Sequence, residues 1–360
     1  MLRLEPRAEP GRLMSVLSPV LALATTVVLG ALLFVAVGKD PVRGLGLFFV
    51  EPIGSAYALS ELAIKATPLL LIALGLAVCF RANVWNIGAE GQFVVGAIAA
   101  GGVAMMAGPT TGRWIVVPIL LAGMLGGMVW AGLVALLRDR ANASEILVSL
   151  MLVYVAEMLL EYLVYGPWKD PAGYNFPQTI TFLEATRVPH LLPGTGQRAH
   201  IGLLLALLAV ALCWLSLFRT YAGYQLQVVG LAPSAARYAG FSSRRVLWLA
   251  MLGSGAASGL AGALEAAGPV GQLTPHIPAG YGFAGIIVAF VGRLHPVGIV
   301  FSSVLMSMFY LGGELAQSRM GVPRSLTGVF QGVLLFTLLA CDTLIDHRLR
   351  WTRRSVPGGG

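Results

Sequence analysis

Charge is what this chain has least of. Only 11% of its 360 residues are Asp, Glu, Lys or Arg, while 57% are hydrophobic; a soluble domain carries roughly 25% charged residues. Cysteine is also scarce: Cys79, Cys213 and Cys341 form no CxxC pair and lie in or beside apolar runs, so neither a zinc site nor a disulfide framework is indicated. HExxH and GxSxG are absent, and no span holds a histidine three or four residues from a carboxylate. A GxxxxGK[ST] phosphate loop is absent too, so the chain has no means of its own to hydrolyse a nucleotide. These absences leave no catalytic residue, no metal site and no bound cofactor to expect.

Long apolar runs are what the chain does have. Several reach the ~20 residues needed to cross a hydrocarbon core of ~30 Å. They do not alternate, which excludes a β-barrel. The expected fold is an all-α, polytopic bundle forming one transmembrane domain. Its spans fall near 16–37, 62–80, 92–107, 115–137, 146–165, 201–218, 246–267, 283–291, 297–311 and 326–344. The run 16–37 is too long for the apolar core of a signal peptide, ~7–15 residues, and is read as a retained span. The segment 283–291 is too short to cross unaided, so it is expected to begin in a half-buried loop.

The net charge of +8 does not point to nucleic acid, because the arginines flank span ends instead of sharing one soluble face. Positive residues beside spans keep their loops in the cytoplasm. Arg3, Arg7, Arg12, Arg81, Arg138, Arg140, Arg219, Arg237, Arg244, Arg245, Arg293, Arg348, Arg350, Arg353 and Arg354 all fall on one side when the chain starts inside. That places 1–15, the loop 219–245 and the tail 345–360 in the cytoplasm. The connection 166–200, rich in proline and carrying Trp168, Tyr174 and Phe176, lies outside as a cap or docking ledge.

Three segments carry chemistry. In GLAVCFRANVWNIGAEGQFVVG, residues 75–96, polar groups sit between two apolar runs. Such groups at membrane depth are expensive unless they face protein, water or a solute. Asn86, Glu90 and Gln92 offer amide and carboxylate groups to hydroxyls and base edges, with Trp85 and Phe93 for stacking; alternatively, Glu90 caps a helix and never meets solute. The second segment, GLAPSAARYAG, reads as a short helix. Pro233 suits its first turn, Ala235, Ala236 and Ala239 keep one side slim, Arg237 is basic, and Gly240 ends it. A slim exposed helix in a cytoplasmic loop fits another protein's groove. The third is GYGFAGIIVAFVGRLHPVG, whose glycines loosen the start of a short span. The first and third segments hint weakly at a two-half repeat, with interrupted elements at 83–92 and 272–285.

In this order, the three segments resemble the permease subunits of ATP-driven (ABC) importers of the ribose, branched-chain amino acid and nucleoside superfamily. EILVSLMLVYVAEMLLEYL and SGLAGALEAAGPVGQLTP extend the likeness over roughly 68–313, and WNIGAEGQ is similar to the nucleoside branch, whose binding proteins are lipoproteins. The resemblance implies a multi-pass protein of the bacterial inner membrane that moves a nucleoside or related polar solute inward. Its implied partners are an ATP-binding cassette subunit that holds ATP and Mg, a second permease subunit, identical or not, and a substrate-binding lipoprotein. It also implies that 233–240 is the coupling helix docking on the ATPase. Ala232 departs from the family's usual asparagine before the proline. Two other classes stay open on the residues alone. An ion-coupled carrier would use Glu157 and Glu161, one turn apart, and a membrane enzyme would use those carboxylates with Glu265 or His276.

Overall fold

Backbone amides inside hydrocarbon find no water, so each apolar run must satisfy its own hydrogen bonds as a helix. The protein, seen in a computed structural model, is described over residues 2–6, 12–323 and 325–351. Arg7, Arg353 and Arg354 of the expected cytoplasmic ends therefore lie outside the described residues. The helices in chain order are α1 (Arg12–Ala36), α2 (Pro41–Phe49), α3 (Ala56–Arg81), α4 (Ala89–Met105), α5 (Val116–Ala141), α6 (Glu145–Tyr165), α7 (Gly202–Arg219), α8 (Tyr221–Leu231), α9 (Pro233–Tyr238), α10 (Ser243–Glu265), α11 (Tyr281–Val291), α12 (Pro296–Met320) and α13 (Ser325–Asp346). The bundle is helical as expected, with one small addition: β1 (Leu2–Pro6) pairs antiparallel with β2 (His347–Trp351), Leu2 opposite Trp351. Among the described residues, six helices are long and apolar enough to cross a membrane, and apolar stretches of 10–17 residues lie in α1, α4, α11 and α13. Together these are the apolar segments read from the sequence.

Two compact units are present, residues 1–51 with 312–360, and residues 52–311. In the first, α1 packs on α13, with Thr26 and Thr337 hydroxyls 3.2 Å apart. Phe34, Phe48 and Phe330 form an aromatic knot whose closest pair, Phe48 and Phe330, is stacked at 4.6 Å. The short helix α2 went unread in the sequence, although Asp40 before Pro41 is a start signal; Asp40 accepts from Val42 N at 2.9 Å.

The second unit is built around α3, α4, α5 and α10. Helix α3, with its charges confined to Glu61, Lys65 and Arg81, is almost wholly apolar between Ala66 and Phe80 and largely buried, as a helix of that pattern must be. Helices α4, α5 and α10 meet through glycines: Gly96 and Gly127 lie against Gly259, and Gly255 lies against Gly127. Small residues let membrane helices approach until backbones touch. By contrast, α6 and α7 are mostly exposed. Ser144 caps α6 by accepting from Leu147 N at 3.5 Å, and Glu145 in its first turn pairs with Arg138 at 3.3 Å.

The connection 166–200 lies along the segment after α10. Thr179 N donates to Leu273 O (3.0 Å), Phe182 N to Gly271 O (2.8 Å) and Val188 N to Ala267 O (2.9 Å). Arg198 adds an ion pair to Glu61 at 3.2 Å. His200 is buried in this loop, and burial, with His190 nearby, pushes its imidazole down to about 4, so it stays neutral. Tyr174 and Phe176 remain exposed, whereas the Trp168 ring lies over Gly102.

Candidate functional site

Helix α3 stops at Arg81, and Asn83 takes a left-handed conformation (φ 55°) that turns the chain back toward the bundle. Residues 82–88 are irregular, which is tolerable at membrane depth only when protein satisfies the freed groups. Here it does. Asn86 and Gln92 exchange amide hydrogen bonds at 3.1 and 3.0 Å. Asn86 also donates to Ser254 Oγ of α10 at 3.0 Å and accepts from Gly88 N at 3.1 Å. All three side chains are fully buried.

Glu90 does something that local sequence cannot reveal. Its own helix, α4, starts at Gly88 without a side-chain cap. One Glu90 oxygen instead accepts from Gly280 N at 2.9 Å, and the other accepts from Gly282 N, at the start of α11. Glu90 thus caps a helix that lies 190 residues further on. The free N–H groups and positive dipole end of α11 meet a carboxylate there. The 11 residues of α11 span roughly 16 Å at ~1.5 Å each, about half the hydrocarbon core. At its other end, Arg81 Nε donates to Leu294 O at 2.9 Å, level with the end of α3. The capped start of α11 therefore sits near mid-depth. Gly280 (φ +77°) permits the turn into α11, and Tyr310 OH donates to Ala279 O at 3.2 Å. The two interrupted elements named from the sequence thus meet at Glu90.

The aromatic candidates part company. Phe93 is fully buried, edge-on to Tyr281 at 5.8 Å. Trp85 is 40% exposed, stacked on Phe290 and tilted against Phe80 at the arginine-bearing end of the unit. Sequence reasoning missed Ser254, whose signal was a serine repeated one turn apart, Ser254 and Ser258, inside an apolar helix.

The short helix α9 begins with Pro233 and is closed by Gly240 (φ +78°). Ala232 gives it no side-chain cap. One detail of the sequence reading needs correction. Ala236 does not belong to an exposed slim face; it is fully buried in a cluster with Val84, Val229 and Val246. Ala236 is the one residue of α9 turned inward; Ser234, Ala235, Arg237 and Tyr238 are exposed. Tyr238 is 98% exposed. Beside α9 a cavity of about 370 Å³ is lined by Asn83, Arg138, Asp139, Glu145 and Arg244 among others, with Arg244 held to Asp139 at 2.7 Å.

Helix α6 holds the remaining polar candidates. Met151, Tyr154, Met158, Glu161 and Tyr165 fall at helical spacing on one exposed face, and Glu157 is partly exposed beside them. Neither glutamate has an ion-pair partner among the described residues.

Residues 58–339 match the family described as the branched-chain amino acid transport system / permease component. The chain belongs to this family. The permease is 33% identical to a glucose ABC transporter permease protein of Haloferax volcanii, over 97% of this chain and 93% of that one. It is 30% identical to a guanosine ABC transporter permease protein of Bacillus subtilis (90% and 93%) and 28% identical to a nucleoside ABC transporter permease protein of Lactococcus lactis (93% of each). It is a multi-pass membrane permease subunit of an ABC transporter, a class that works with an ATP-binding subunit. Its relatives are ABC transporter permease subunits, which favours that class over the membrane-enzyme and ion-coupled readings.

Proposed function

We propose that the permease carries a nucleoside into the cytoplasm along the exposed face of α6, with a second permease subunit opposite. The single observation that carries this is a pair of unpaired carboxylates, Glu157 and Glu161, on the open side of a membrane-spanning helix. Lipid does not tolerate such a face, whereas a partner subunit enclosing a water-filled path does. Carboxylates accept hydrogen bonds from ribose hydroxyls, and Tyr154 and Tyr165 offer ring faces to a base. In this reading Asn86, Glu90, Gln92 and Phe93 hold the scaffold behind the path, and Trp85 stands at its arginine-bearing end. A hexose is the second reading, favoured by the higher identity to the glucose permease.

The test is uptake of labelled guanosine and labelled glucose in cells that depend on this subunit. Glu157→Gln with Glu161→Gln should lower uptake of the true solute by at least roughly 10- to 100-fold, the loss expected when a single bond to a charged group, worth ~1.5–3 kcal/mol, is weakened. Wild-type uptake of both solutes by the double variant would overturn the assignment.

We infer the other parts from the resemblance to nucleoside importers and from the charge of the loops. ATP and Mg are held by a separate subunit, this chain binds no cofactor, a lipoprotein delivers solute at the 166–200 end, and both termini are cytoplasmic in the bacterial inner membrane. Docking of the ATPase uses the outward face of α9 and the charged cavity beside it. Tyr238→Glu should therefore abolish solute-coupled ATP hydrolysis while the subunit still inserts and melts as wild type, because the side chain touches little of its own protein. Unchanged coupling in that variant would remove α9 from the interface. Ala236→Glu is not an equivalent probe, since it buries a charge in the cluster around Val229.

A further inference from the structure

At the end of α7 the chain makes a tight corner. Thr220 Oγ1 accepts from Gly223 N at 3.1 Å, starting α8, and Gly223 lies against the carbonyls of Ser216 and Leu217, where no Cβ would fit. The corner leaves a groove of about 400 Å³ between α7, α8 and the first turns of α10. This is within the ~300–1,000 Å³ usual for small-molecule sites. Its walls are divided in character. Val78, Leu217, Leu226 and Leu249 give it apolar lining, while Gln225 and Arg245 add an amide and a cation.

The polar lining is uncommitted. Neighbouring cations are already engaged: Arg244 holds Asp139 at 2.7 Å and Arg219 lies over the Trp214 ring at 5.3 Å. The Arg245 guanidinium and the half-buried Gln225 amide have no hydrogen-bond or ion-pair partner among the described residues. The groove also takes in Leu249, an outward-facing residue of the kind a membrane helix shows to acyl chains. A cation and an amide donor in an apolar groove, at the arginine-bearing end of a membrane bundle, match one chemistry: a phosphodiester on an acyl tail.

We propose that this groove is a binding site for a single anionic phospholipid, its phosphate on Arg245 and Gln225 and its chain over Leu249. Charge complementarity selects the lipid, because anionic headgroups concentrate on the face where basic residues flank spans. The lipid also braces α8, the helix that leads directly into α9.

Native mass spectrometry of the purified full-length chain tests this, with phosphatidylglycerol, phosphatidylcholine and inorganic phosphate as probes. Phosphatidylglycerol should be retained at one per chain in preference to phosphatidylcholine. Arg245→Gln should weaken that retention about tenfold, as expected for loss of a charge-assisted contact. Gln225→Leu should weaken it less, and Arg140→Gln, a change of equal charge outside the groove, should leave it unchanged. Equal retention by Arg245→Gln and wild type, or equal retention of the two lipids, overturns the proposal. So does displacement of phosphatidylglycerol by inorganic phosphate, which would make the groove a site for a free anion.

Discussion

Glu90→Leu is expected to unfold the middle of the permease before any solute is added. Two backbone N–H groups, of Gly280 and Gly282, lose their acceptors at a buried, mid-depth helix start. Each buried donor left unpaired costs about 1–3 kcal/mol. The loss also leaves the positive end of α11 without a counter-charge. Glu90→Gln keeps one acceptor oxygen but turns an NH₂ toward the second N–H, so its loss should be intermediate. Melting of the purified subunit in detergent checks the order: wild type above Gln, Gln above Leu, with or without solute. A solute-contact role for Glu90 predicts the opposite pattern, normal melting with impaired uptake. Equal melting of all three proteins would remove the cap from the account.

Gly259→Leu should be as severe and for a different reason. A Cβ at Gly259 would come within 2.9 Å of the Gly127 backbone on α5, and one at Gly96 would come within 2.5 Å of the Gly259 carbonyl. Flexible side chains can rotate away from such a clash, but backbone cannot. Overpacking costs ~1–3 kcal/mol where side chains can adjust, so a contact that must push α5 and α4 off α10 should cost more and abolish the folded yield. Gly253, on the same helix, has open space around its Cβ position. Gly253→Ala should be neutral or stabilise by about 0.5–1 kcal/mol through helix propensity. Size-exclusion profiles of Gly259→Leu and of Gly253→Leu, a substitution of equal size on the same helix, compare the two positions directly, and matching profiles would refute the glycine contact.

Hydropathy made the spans legible, because burial in lipid demands only length and apolarity. It said little about which helix faces inward, since α3 is buried on all sides while the equally apolar α6 and α7 are not. The segment 75–96 was recognisable as special from its polar residues. Its partners were not, because Ser254 lies 168 residues from Asn86 and Gly280 lies 190 from Glu90, and no local period encodes such pairings. The inward turn of Ala236 was lost for a related reason. Six residues of α9 give too short a pattern to say which alanine meets Val229 and Val246.

The long reach of Glu90 also sets an order of events at the ribosome. Chains grow at ~5–20 residues per second, so the 190 residues to Gly280 take roughly 10–40 s to make. Throughout that interval α4 is already threaded and its carboxylate waits without the N–H groups it will bind. Helix α11, by contrast, emerges into a membrane where its cap is already in place, and a segment too short to cross by itself never has to lodge there unaided. Synthesis from the N-terminus therefore presents the acceptor first and the needy helix second, the sequence of arrival that lets a half-length helix settle.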